Sequence, residues 1–285
     1  MQILFNGLIT GLLVALPALA VALTFSVLRF ANFAIGAMIT SGAYLVYAFN
    51  VVLGLPLWIS GIIAVVLSAG LAVIVDLLAF RPLRNRSAVT LMVASMGVSF
   101  ILENIIRFVA GNTSVGYDVA LSRPWRWAGL RINVEQVQVL IICLQVLLSV
   151  WMLFRWSRLG RAMRAVADNA ALAASRGVSQ QYVISITWAL AGGLAALSGM
   201  LIGLDATVDP QMGWTYALPA FAAAILGGLT HPLAAIPGAL VMGVLSEAAT
   251  LVLPSHYRSL VAFVVMSLLL AMRPTGLFGK RWLTR

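Results

Sequence analysis

Charge is what this chain has least of. Only 9% of its 285 residues are charged, against 62% hydrophobic, and its mean hydropathy is +1.04. A soluble domain needs roughly a quarter of its residues charged to keep its surface in water. A soluble fold is therefore excluded. Lysine occurs once, at Lys280, and no G-x-x-x-x-G-K-[S/T] stretch exists, so the chain has no phosphate loop of that kind. Cysteine also occurs once, at Cys143 in an apolar run, which excludes an intramolecular disulfide and a cysteine-based metal cluster. His231 and His256 are not at metal-ligand spacing, and no Ser-His-Asp arrangement is discernible. His231, before Pro232, reads as a turn residue, and His256 as part of an external loop. Enzymatic chemistry finds no clustered groups to carry it.

What is present is apolar runs of about 20 residues, the length that crosses a ~30 Å hydrocarbon core at ~1.5 Å per residue. They predict spans at 3–28, 33–53, 57–80, 88–110, 136–156, 182–204, 216–229, 232–253 and 259–272. The joints carry helix breakers, among them Gly54, Pro56, Pro82, Gly111, Pro210, Pro232, Pro254 and Pro274. The expected fold is an all-α polytopic integral membrane protein of about eight or nine transmembrane helices with broken or re-entrant elements. Residues 1–285 read as a single transmembrane domain. The 216–229 run is too short to cross comfortably and is expected to pair with 232–253. The apolar stretch from Ile3 to Leu28 is longer than a signal-peptide core and has no basic residue before it, so it reads as a span. No lipidation motif is seen at either end.

The formal charge of +10 follows from sidedness, with no need for nucleic acid. One side collects Arg29, Arg81, Arg84, Arg86, Arg155, Arg158, Arg161, Arg164, Arg176, Arg273, Lys280, Arg281 and Arg285. The other keeps Arg107, Arg123, Arg126, Arg131 and Arg258. The positive-inside bias makes the first side cytoplasmic, with the C-terminus there and, for nine spans, the N-terminus outside. The external loop, 111–135, holds Trp125 and Trp127, which read as an interfacial aromatic anchor or as a contact for an external partner. The cytoplasmic segment 157–181 predicts a short helix from Arg161 to Ala174 stopped near Gly177, with Arg161 and Arg164 on one side. Such a helix is either an amphipathic linker or a docking helix for a soluble subunit.

Ionisable groups inside spans are expensive and call for a role. Glu103 and Arg107 lie i, i+4 on one span and predict a structural ion pair. Glu247 has no basic neighbour on its own span, which leaves structural and pathway roles equally open. Asp76 lies where it can meet Arg81 or Arg84, and Asp205 and Asp209 fall at the outer end of the 182–204 span. The glycine-rich breaks at 32–42 and 227–238 point either to a central cavity or to close helix packing. Thr24, Ser26 and Asn32 are the polar groups expected beside a pathway.

Five stretches in register resemble one family. They are Asn32-Phe33-Ala34 with Gly42-Ala43-Tyr44; Arg81-Pro82-Leu83-Arg84; Gly160-Arg161-Ala162-Met163-Arg164-Ala165 with Asn169 and Gly177-Val178; Ala222 to Gly228 with Ile236-Pro237-Gly238-Ala239; and Arg273-Pro274 with Gly276-Leu277-Phe278-Gly279. Together they resemble the branched-chain amino acid ABC importer permeases of the LivH type. Two positions depart from that pattern: Ala171-Leu172-Ala173 replaces the family's Glu-Ala-Ala, and Ile35 replaces a His.

The resemblance implies a permease subunit that moves a small polar solute, by default branched-chain amino acids, across a bacterial inner membrane. It implies a second permease subunit, related or identical, two cytoplasmic ATPases that bind and hydrolyse ATP with Mg, and a periplasmic solute-binding protein. No cofactor is expected on this chain. Gly160, Arg161, Arg164, Asn169, Ala173 and Gly177 are the coupling residues it implies. The competing readings are an ion-coupled secondary transporter and a related permease for urea, amides or other small carboxylates.

Overall fold

A computed structural model describes residues 1–119, 125–127, 130–251 and 263–268, together with Ala271 and Gly276. In chain order its helices are α1 (Gln2–Leu28), α2 (Ala34–Tyr47), α3 (Leu57–Val75), α4 (Ala88–Ala110), α5 (Val134–Trp156), α6 (Arg158–Asp168), α7 (Ala170–Ser175), α8 (Gln180–Asp205), α9 (Met212–Gly227) and α10 (Ala235–Ala249). α2 continues through a wide π turn to Val52, and α3 through another to Phe80 and then a 3-10 turn to Leu83. Among the described residues, seven helical segments are long and apolar enough to cross a membrane, and α9 is a shorter apolar helix. The expected 259–272 span falls partly outside the described residues, as do Arg123, His256, Arg258, Arg273 and the basic tail; 263–268 is helical.

α1 has no charged side chain between Met1 and Arg29 and is apolar on every face, which suits a helix surrounded by protein or lipid. Its most apolar window is 83% buried, with α8 at 72% and the α2 segment at 67%, whereas the α4 window is 22% buried. α1, α2 and α8 are therefore the centre of the bundle. α3, α4 and α5 turn rows such as Ile62, Val66, Phe108, Ile141 and Leu148 outward, the composition that lipid tails accept. Pro17 inside α1 has no N–H to give to the Leu13 carbonyl. The Ser198 hydroxyl on α8 donates to that carbonyl instead, at 3.3 Å, as a backbone group shielded from water requires. α1 and α10 cross in near contact: a Cβ on Gly243 would lie 2.3 Å from the Gly11 Cα.

Local chemistry sets the helix ends. Asn50 donates to the Leu55 carbonyl (2.9 Å) and accepts from the Asp118 amide (2.8 Å), pinning the α2–α3 turn under the loop after α4. Arg29 donates to the Ala167 carbonyl at 2.5 Å and Arg81 to Gln181 Oε1 at 3.4 Å. These contacts gather Arg29, the 81–86 loop and the 157–179 segment at one end. At the opposite end Gln2 exchanges two 3.0 Å hydrogen bonds with the Arg131 backbone, and Val115 pairs with Val208.

One expected boundary needs correcting, and the outer loop has a local structure of its own. Within the loop 111–135, β1 (Trp125–Trp127) pairs antiparallel with β2 (Leu130–Ile132), a small addition to an all-α fold. The short helix begins at Met212, four residues before the predicted 216. The Gln211 carbonyl accepts from the Trp214 and Thr215 amides, and Thr40 Oγ1 accepts from the Gly213 amide at 3.0 Å. The polar start of this helix hid it from a reading by apolar runs. α9 then packs against α10, where a Cβ on Gly238 would sit 2.3 Å from the Ala223 carbonyl oxygen.

Candidate coupling surface and polar cleft

The segment after α5 turns a sharp corner on one residue. The Ser157 amide closes α5 on the Leu153 carbonyl (3.1 Å), while its hydroxyl accepts from the Gly160 amide (2.9 Å) and so caps α6. Gly160 permits that corner: a Cβ there would lie 2.5 Å from the Leu153 carbonyl oxygen and 2.6 Å from the Phe154 Cα. Met163 and Val166 bury the inner face of α6, and Ala173 that of α7. Arg161 donates to the Trp156 carbonyl at 3.3 Å and Arg164 to the Phe154 carbonyl. Both cations thus sit on the negative C-terminal end of α5.

The expected single helix over Arg161–Ala174 is two. Asn169 is extended (φ −156°, ψ 102°), and its Oδ1 accepts from the Leu172 amide at 3.0 Å, starting α7 afresh. Gly177, at φ +83°, ends it, with the Gly177 and Val178 amides returning to Ala174 and Ala173. The face left outside presents Arg158, Ala171, Leu172 and Arg176, with Leu172 60% exposed.

Thr24, Ser26, Asn32 and Glu247 are all buried, but the structure does not gather them. Thr24 and Ser26 donate to carbonyls of their own helix, at 2.9 Å to Val21 and 2.9 Å to Leu23. Asn32 Oδ1 accepts from the Ala34 amide at 3.1 Å and starts α2. Glu247 lies near the far end of α10, just beyond Val244, which meets Gly7. The first three are thus at the arginine-rich end and the fourth is toward the other. Asp209, at that other end, accepts from Ser114 Oγ (3.0 Å) and the Gln211 amide (2.8 Å).

A different set of polar groups does converge. Arg107 Nη2 lies 2.5 Å from Glu103 Oε1, and the other carboxylate oxygen accepts from Trp214 Nε1 on α9 at 2.9 Å. The Trp214 ring leans on Phe100, with centroids 6.0 Å apart. These residues line an open cleft of about 440 Å³ with Asn104, Gln211 and Thr215. Glu103 is 7% exposed, yet Asn104, Gln211 and Thr215 are exposed on the outer surface of the bundle.

The family model described as branched-chain amino acid transport system / permease component matches residues 3–270. The chain belongs to that family. It is 27% identical to the high-affinity branched-chain amino acid permease LivH of Salmonella typhimurium, over 98% of this chain and 96% of that one. It is 26% identical to BraD of Pseudomonas aeruginosa over the same shares. Among solved structures, PsaBC from Streptococcus pneumoniae in complex with Fab is similar in fold, with a TM-score of 0.52 at 16% identity over 96% of this chain and 93% of that one. This member of the permease family is a multi-pass membrane protein whose fold has that precedent.

The link between Glu103 and Trp214 joins residues 111 apart in sequence. No spacing rule finds such a pair. The available signal was the polar trio of Gln211, Trp214 and Thr215 opening an apolar run.

Proposed function

We propose that this chain is the membrane-spanning subunit of an ATP-driven importer that carries small zwitterionic solutes, branched-chain amino acids first among them, inward across a bacterial inner membrane. The arginine-rich end is then cytoplasmic, as is the C-terminus. Two such subunits, identical or related, stand over two ATPases that bind and hydrolyse ATP with Mg, and an external binding protein delivers the solute. Near full-length similarity to permeases named for branched-chain amino acid transport supports the solute class.

The observation that carries the reading is the α6–α7 pair, held rigidly on its inner side and bare on its outer side. Its corner at Ser157–Gly160 is fixed to α5, and Arg29 ties the end of α6 to the α1–α2 joint. A push on the bare face reaches α5, α1 and α2 as a rigid-body displacement. Leu172 and Arg176 present an apolar knob and a cation to a docking subunit. Ala171 and Ala173 stand in the family's Glu-Ala-Ala triplet, so apolar contact takes a larger share here.

The test is ATP-dependent uptake of leucine by the reconstituted assembly. Leu172→Glu and Gly177→Val are each expected to uncouple it, lowering uptake while the chain still folds and inserts. Unchanged uptake in both sinks the docking role. Uptake that persists without ATP and follows an ion gradient sinks the importer reading altogether.

A further inference from the structure

The cleft between α4 and α9 asks for a ligand. Glu103 lies ~22 Å along α4 from Ala88 and ~10 Å from Ala110 at ~1.5 Å per residue, which puts it within the hydrocarbon core on the side of the loop 111–135. Ionisable groups at that depth face protein or water, not lipid. Yet Arg107 keeps 30% of its side chain exposed, on the wall of the cleft. A bridge serving the fold alone has no need of a polar opening beside it, and this one borders the cleft that Asn104, Gln211 and Thr215 also line. The exposed Asn104, Gln211 and Thr215 make the same strip of surface polar.

We infer that Glu103 and Arg107, with Trp214, form a station on the solute pathway that holds the ammonium and carboxylate heads of an amino acid zwitterion. This deepens the functional reading above and rests on it. The pair is neutral as a whole, so a lone cation meets Arg107 and a lone anion meets Glu103 at close range. A zwitterion laid antiparallel against the pair places its ammonium on the Glu103 carboxylate and its carboxylate on the Arg107 guanidinium. No net charge is left in a low-dielectric site. Trp214 holds Glu103 from behind with its N–H, which fixes where the negative end lies. The Phe100 and Trp214 rings give the cleft an apolar wall, the surface an aliphatic side chain requires. The cleft opens on the outer face of the subunit, so the pathway runs along this face and not through the packed α1–α2–α8 centre.

The decisive variant exchanges the two charges, Glu103→Arg with Arg107→Glu, in the complete transporter reconstituted in vesicles with radiolabelled leucine as probe. The exchange keeps an ion pair on α4 but turns its polarity against the Trp214 donor. Leucine uptake is expected to fall by about tenfold or more, the size of a lost charged hydrogen bond. Assembly is judged by co-purification with the ATPases. Uptake within about twofold of the unaltered protein means a purely structural bridge and overturns the station. If the exchanged variant does not assemble, Trp214→Phe keeps the ring and removes only the N–H; about fivefold weaker uptake is expected, and unchanged uptake overturns the inference. Absence of ATP-dependent leucine uptake by the unaltered assembly is the distinct failure, which removes the functional reading and the station with it.

Discussion

Asp76 is a carboxylate with one cation to rely on. It is fully buried, Arg84 Nη2 lies 2.5 Å from its Oδ2, and its Oδ1 meets no hydrogen-bond partner among the described residues. The sequence left Arg81 and Arg84 as equal candidates. The π turn at 76–80 and the 3-10 turn that follows bring Arg84 back to the acid, and Arg81 points to Gln181 instead. Removing one member of a buried pair strands the other at a cost of about 3–5 kcal/mol. Arg84→Ala is therefore expected to lower the thermal unfolding midpoint in detergent sharply. Adding Asp76→Asn should recover much of the loss, and a single variant as stable as the parent would refute the pairing. Gly160 belongs to the same scale. Its presence in an Arg-rich segment was visible in the sequence, but the carbonyl 2.5 Å from its would-be Cβ was not. Gly160→Val is expected to cost about 1–3 kcal/mol by overpacking, read as loss of co-purification with the ATPases and a lower unfolding midpoint.

At the scale of elements, the coupling segment was legible as helical and wrong in its continuity. Alanine-rich composition from Arg161 to Ala174 favours one helix, and no proline forbids it. Asn169 overrides that preference because its side chain satisfies the Leu172 amide better than a continuing helix turn would. The signal was Asp168-Asn169, a pair that prefers caps to helix interiors. Asn169→Ala removes the cap at about 1 kcal/mol and lets α6 and α7 merge, which turns Leu172 away from its present position. Uptake driven by ATP is expected to fall, whereas Asn169→Ser, which retains a capping oxygen, should preserve it. Equal uptake by both would mean the break carries no mechanical role. The pairing of 125–127 with 130–132 could not be read from the chain, because three-residue strands leave too little alternation to detect.

The whole molecule is built around helices that approach almost backbone to backbone. Gly11 and Gly243 meet where α1 crosses α10, and no larger residue fits at that separation. Gly243→Leu is expected to wedge the two helices apart and abolish a stable fold in detergent, whereas Gly70→Ala on α3, where nothing lies within 4 Å, should be tolerated. Ser198→Ala gives a finer test. It removes the donor to the Leu13 carbonyl that Pro17 leaves open, and about 0.6 kcal/mol is the expected loss for one interhelical bond in a membrane. The unfolding midpoint of that variant should shift by only a little.

By itself the sequence determined that the chain crosses a membrane, where most of its helices begin and end, and that Arg29, the 81–86 loop and the 157–176 arginines share one end. Those properties depend on local composition: run length against the thickness of a hydrocarbon core, breakers at joints, and a charge bias between loops. Five motifs in order also pointed to the permease family. The tertiary structure alone decided which polar groups meet. Thr24 and Ser26, expected beside a pathway, turn to their own helix, because a buried hydroxyl finds the nearest carbonyl one turn back. Glu103 and Arg107 were read as a pair, but Trp214, far away in sequence, turns the pair into one wall of a cleft. Such contacts arise because α4 and α9 both pack against α2, and no periodicity within either helix records that shared neighbour.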